Sequence, residues 1–123
     1  MSEYTPPPKI SKDFLYHYKG VVASVYDGDT IRVNIDLGFN HWIMNEPIRI
    51  ARIDAPEVRG KEREEGLKTR DFLRDTIVGK EVVIRTYKDK AGKYGRYVAE
   101  IELNQVNISD WLVDIGLAEY KKY

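Results

Sequence analysis

The order of patterns along this chain predicts a mainly β domain with two helices, of the α+β class. Three strand-like stretches come first, then a helix, two more strands and a final helix. The alternation is clearest in residues 30–36, where Ile31, Val33 and Ile35 share one face and Arg32, Asn34 and Asp36 the other. At 123 residues, the chain has the length of one domain with a modest core.

Residues 1–11, with Pro6-Pro7-Pro8, read as a flexible lead, which leaves residues 12–123 as the folded unit. Residues 16–26 and 30–36 are strands joined at Asp27-Gly28, a strong hairpin signal. A type I′ turn is expected there, with Gly28 supplying the positive φ. Residues 37–45 read as a long connection, and its Phe39 and Trp42 are assigned to core packing ahead of base stacking. Residues 47–53 form the third strand. Residues 57–65 read as a highly charged loop.

Thr69, Phe72, Leu73, Thr76 and Ile77 then fall on one face of a helix closed by Gly79. Residues 81–87 and 94–103 read as two strands. Ser109 is the expected N-cap of a second helix ended by Gly116, with Ile108, Trp111, Leu112 and Ile115 buried. This element order predicts a five-stranded OB-type barrel with flanking α-helices.

Composition excludes several chemistries. Formal net charge is zero, so the chain as a whole lacks the excess of a bulk-basic nucleic-acid binder, although a locally positive cleft would suffice for an enzyme. The absence of cysteine removes disulfides, thiolate metal sites and cysteine nucleophiles. Two histidines make a histidine-rich zinc site implausible. No stretch approaches membrane-spanning length, and residues 1–9 contain no apolar leader, so the reading is cytoplasmic, with no membrane partner.

Three short motifs carry the chemistry. Asp27-Gly28-Asp29-Thr30 reads in isolation as a plain turn, which is compatible with its being a rigid mount for an inward-pointing Asp29. Asp54-Ala55-Pro56-Glu57 reads locally as a capping box, with Asp54 as cap and Glu57 reaching back. Arg49 lies upstream on a strand where Arg49 and Arg52 occupy opposite faces, so one of them must face the side poor in apolar residues. Arg49 beside Asp29 and Asp54 would bring a phosphate next to a cation. Lys93-Tyr94-Gly95-Arg96 is either a charged turn or a mount for Arg96. Clustered carboxylates suit a hard divalent cation, and arginine forks suit phosphate oxygens. Brought together, these parts suit metal-assisted phosphodiester hydrolysis.

In residue type, order and interval these motifs closely resemble the staphylococcal nuclease (thermonuclease) family, from about Tyr16 to Gly116-Leu117-Ala118. The resemblance implies an OB-fold, calcium-dependent endonuclease acting on DNA, RNA or both and leaving 3′-phosphate ends. It implies calcium held by the Asp29 and Asp54 carboxylates and the Ala55 backbone carbonyl, with Asp27 near the metal. It also implies Arg49 and Arg96 as a catalytic phosphate clamp and Glu57 as the residue that orients or deprotonates water. Lys93 and Tyr94 would contact substrate. A monomer with a bacterial or phage-encoded intracellular role is expected. Replacing either arginine is expected to lower turnover and leave the fold intact.

Two other readings stay open. One is a non-catalytic OB-fold module binding nucleic acid or protein. The other is a barrel that binds calcium for stability alone, which leaves both arginines without a role.

Overall fold

Strand β1 (Tyr16–Asp27) is long enough to serve two neighbours, and that double service closes the sheet on itself. In the computed structural model, which describes residues 16–91 and 96–121, β1 pairs antiparallel with β2 (Thr30–Asp36) through residues 19–27 and with β5 (Glu81–Ala91) through residues 16–21. Strand β2 continues into β3 (Trp42–Ile50), and β5 into β6 (Tyr97–Leu103). A parallel pairing of β3 with β6, Ile48 against Tyr97 through Ile50 against Ala99, closes a five-stranded mixed barrel with the OB arrangement. The N-terminal lead, Lys93, Tyr94, Gly95 and Tyr123 lie outside the described residues.

Inside the barrel, Val22, Ile31, Val33, Ile48, Ile50, Val82, Ile84, Ala99 and Ile101 are all buried. Each large aliphatic side chain among them contributes roughly 1.5–3 kcal/mol relative to exposure. Helix α1 (Arg63–Ile77) is entered through a 3-10 turn at Gly60–Glu62 and buries Gly66, Thr69, Leu73 and Ile77. It stops where Gly79 takes a φ of 78° and donates its N–H to the Val22 carbonyl at 2.8 Å, tying the helix end to β1. Helix α2 (Ile108–Asp114) follows the short β6–β7 hairpin, β7 being Val106–Asn107, and buries Ile108, Ser109 and Leu112. No helix among the described residues is long and apolar enough to cross a membrane.

The barrel and both helices match the expected class, with local corrections. The Asp27-Gly28 turn is not type I′, because Gly28 does not adopt a positive φ. Glycine is needed there for close approach instead: a Cβ would lie 2.5 Å from Thr69 Cγ2 and 2.6 Å from Ala55 Cβ. The connection after β2 is much shorter than residues 37–45, since Trp42 already pairs with Asp36. Phe39 and Trp42 are not core residues; they are 98% and 46% exposed. Phe39 and Asn40 both hold left-handed φ angles, of 54° and 62°, at a cost of order 1–3 kcal/mol for a non-glycine residue.

The third strand breaks at Ala51-Arg52, where Arg52 takes a φ of 67°, and resumes as β4 (Ile53–Asp54). Strand β4 pairs with β8 (Glu119–Tyr120). No capping box forms at residues 54–57, because that segment is irregular and the first helical turn begins at Gly60. The charged loop therefore ends early, in helix. Asn107 rather than Ser109 caps α2, accepting the Asp110 N–H at 3.1 Å. The Ser109 hydroxyl is buried and donates to the Ala51 carbonyl at 2.7 Å. Ile115 is exposed, just past the helix end.

Gly66 sets how closely α1 approaches the loop after β4, since a Cβ there would overlap the Glu57 carbonyl. Gly66→Ala is expected to lower stability by about 1–3 kcal/mol in urea unfolding. Wild-type stability in that variant would show that the helix does not bear on this loop.

Candidate active site

Asp29, in the turn immediately before β2, is 7% exposed, so its carboxylate must be satisfied by the protein. Its Oδ2 accepts the Ala55 N–H at 2.9 Å, and its Oδ1 accepts the Thr30 hydroxyl at 3.3 Å. Its carbonyl accepts the Ile50 N–H at 2.8 Å. These bonds fix the head of β2 against the corner between β3 and β4.

Arg49, 9% exposed, occupies the same corner. Its Nη1 donates to the Ile50 carbonyl at 2.7 Å and its Nη2 to the Ile53 carbonyl at 2.8 Å. The same Nη2 lies 3.4 Å from Asp29 Oδ2 and 3.8 Å from Asp54 Oδ1. The Asp54 side chain is 56% exposed, so it forms the open rim of the cluster. Because Arg49 satisfies two carbonyls at a strand break, its removal is expected to cost stability as well as turnover.

Arg96 reaches the cluster through one intermediary. Its Nη1 donates to Thr30 Oγ1 at 2.9 Å, and Thr30 in turn bonds Asp29. Thr30 was quoted in the first motif without a role, yet its position opposite Arg49 in the β2–β3 register makes it the joint between the two arginines. Glu57 is exposed on the segment leaving Ala55, and no hydrogen bond or ion pair among the described residues ties its carboxylate to the cluster. Lys93 and Tyr94 lie outside the described residues.

Asp27 flanks the site, and its pKa is pushed up from 3.8 to about 7. Burial is the largest cause, followed by a hydrogen bond to the Asp29 carboxyl and repulsion from it; the N–H groups of Asp29 and Thr30 pull the other way.

Chemically, the site offers hard carboxylate oxygens, with the half-buried Asp27 crowded against the buried Asp29. Among the described residues, no group of three or more histidine, cysteine, aspartate or glutamate side chains converges for a metal. Asp29 and Asp54 are the two carboxylates that lie beside Arg49.

On the other face of the broken strand, Arg52 forms a second polar knot that the motifs did not reveal. Its guanidinium makes a two-pronged contact with Glu100, at 2.6 and 3.0 Å, and reaches Asp110 at 3.1 Å. Tyr120 donates to Asp110 at 2.8 Å, and Asn107 donates to Glu100 at 3.0 Å. Arg52 and then Tyr120 hold the Asp110 carboxyl below its ordinary range. Glu100 between Ala99 and Ile101 was the available signal, an acid in an otherwise apolar strand centre.

The profile of the family described as Staphylococcal nuclease homologue matches residues 47–123. That stretch contains Arg49, Asp54, Glu57 and Arg96; Asp27 and Asp29 precede it and join the site through the fold. The chain is also 28% identical over 127 aligned positions to an uncharacterized protein of Methanocaldococcus jannaschii, MJ1439. The match covers 83% of this chain and 58% of that relative, so the chain spans little more than half of the relative's length.

The raised pKa of Asp27 has a consequence for stability. Folded Asp27 keeps its proton up to about pH 7, whereas the unfolded chain releases it near 3.8. Between those values the folded state binds more protons, so this contribution is full below about pH 4 and is lost as pH rises through 7. In chelator, Asp27→Asn should lose less stability than wild type between about pH 4 and 7, read from urea midpoints. Identical pH profiles would remove Asp27 as the titrating group.

Proposed function

Because the chain belongs to the staphylococcal nuclease homologue family, matched over residues 47–123, we propose that it is a calcium-dependent phosphodiesterase cleaving DNA, RNA or both. The observation that carries this reading is the convergence at Arg49, whose Nη2 faces the Asp29 carboxylate just before β2 and the Asp54 carboxylate at the end of β4, with Arg96 joined to the same cluster through Thr30.

Asp29 and Asp54 would hold the calcium, which when bound supplies Lewis-acid polarisation of a phosphoryl oxygen. Arg96 neutralises charge that builds on the phosphorane-like transition state, from the Thr30 side. Arg49 keeps Asp29 and Asp54 apart and oriented, and offers its positive charge to the same phosphate. Glu57, on an exposed segment, orients the attacking water and accepts its proton. Water forms the new P–O bond, the bond to the 5′-oxygen breaks, and the phosphate stays on the 3′ end. The leaving 5′-oxygen takes a proton from solvent.

A second reading has specific support. Arg49 is committed to two backbone carbonyls, and Glu57 is not tied to the cluster among the described residues. Both features also suit a member that binds nucleic acid without cutting it.

Single-stranded DNA, duplex DNA and RNA incubated with calcium, with magnesium and with chelator separate the two. Cleavage with calcium alone is expected; binding without cleavage in every condition favours the second reading. Arg96→Ala should lower turnover by about 10²–10³-fold at an unchanged urea midpoint. Arg49→Ala should lower both turnover and stability, and near-wild-type turnover in both variants would remove the clamp. Glu57→Ala reports separately on water activation.

A further inference from the structure

The β2–β3 hairpin carries the candidate site at one end and an exposed apolar tip at the other. At the tip, Phe39 is 98% exposed, Met44 63% and Trp42 46%. Phe39 and Asn40 both sit in left-handed φ, an uncommon conformation for a residue as bulky as the solvent-exposed Phe39. A tip evolved only for solubility would place small polar residues there.

Register shows that tip and site share a face. Thr30 lies opposite Arg49, Arg32 opposite Pro47 and, beyond a register shift between Val33 and Ile35, Asp36 opposite Trp42, so these pairs lie on the side of the hairpin away from the core, where Arg49 is covered by the cluster. Ile31, Val33 and Ile35 fill the inner side. Midway along the outer side, the exposed Arg32 guanidinium is held in place by the Asn45 carbonyl at 2.8 Å. The Asp36 carboxylate at the tip is turned into the loop, where it accepts the Gly38 N–H at 2.8 Å.

We propose that this outer face is an extended track for single-stranded nucleic acid, in which Arg32 meets the phosphate backbone and Trp42 and Phe39 stack on bases beyond the cleavage site. The inference rests on reading the Arg49–Arg96 cluster as a nucleic-acid site, with which the face is continuous. Thr30 and Asp36 are the two ends of the seven-residue β2, a span of about 20 Å. That accommodates on the order of six stacked nucleotides at 3.4 Å each, fewer when the strand is stretched. Aromatic stacking is tolerant of sequence, and each stacked base is worth roughly five- to hundredfold in affinity.

Fluorescence anisotropy in chelator, where no cleavage intervenes, tests the track with labelled single strands of 12 and 3 nucleotides. Wild type should bind the 12-mer more tightly than the 3-mer. Phe39→Ala/Trp42→Ala should weaken 12-mer binding about tenfold or more and leave the 3-mer and the urea midpoint unchanged. Phe39→Tyr/Trp42→Phe should restore it. Equal 12-mer affinity in wild type and the alanine pair overturns the proposal, as does no binding by wild type. So does a variant that keeps 12-mer affinity but loses self-association in sedimentation or pelleting with anionic phospholipid vesicles. A tip effect seen without calcium-dependent cleavage would defeat the hydrolytic reading and uphold the track.

Discussion

The Arg49 guanidinium holds this molecule's site together. One buried fork satisfies the carbonyls of Ile50 and Ile53 on both sides of a strand break and faces Asp29 and Asp54 at 3.4 and 3.8 Å. A charge this buried is tolerated only when paired and hydrogen-bonded, so the corner of the barrel and the acidic site must form together. The break itself depends on Arg52 adopting a left-handed φ, which sends the next guanidinium to the opposite side and onto Glu100. Two arginines three residues apart thus pin the same corner from two faces.

Around that corner the helix is set by close backbone approach. Gly28 lets Thr69 and Ala55 pack against the first turn, and Gly66 lets α1 rest on the Glu57 carbonyl. The helix therefore braces both loops that bear the carboxylates, and its apolar stripe, Leu73 and Ile77, ties that brace into the barrel core. Local electrostatics at the site owe little to a net charge of zero. What matters is the half-buried Asp27 beside the buried Asp29: loss of solvent first, and then the neighbouring carboxyl, push the Asp27 pKa up to about 7.

Much of the fold was legible in the residues. Alternation placed β1 and β2 nearly to the residue, and the spacing of Thr69, Leu73 and Ile77 located the face of α1 that is buried. The misjudged positions share a cause. Phe39 and Trp42 are apolar, so they read as core, but a hairpin tip has no partner layer to cover them. Ser109 is a good N-cap by type, but the neighbouring Asn107 had the carbonyl geometry and Ser109 had the buried Ala51 carbonyl to satisfy. Gly28 is a turn residue by type, yet it is required by what packs on it.

By itself the sequence determined the strand and helix periods, the barrel class and the candidate residues Asp29, Arg49, Asp54 and Arg96, because those depend on local side-chain pattern and residue chemistry. Only the tertiary structure decided that Arg49 is a brace as well as a charge, that Thr30 links Arg96 to Asp29, and that Arg52, Glu100 and Asp110 form a knot behind the site. The reason is physical. A hydrogen bond between residues 48 or 66 positions apart leaves no mark on either neighbourhood, and its partners are chosen by where the closed barrel puts them.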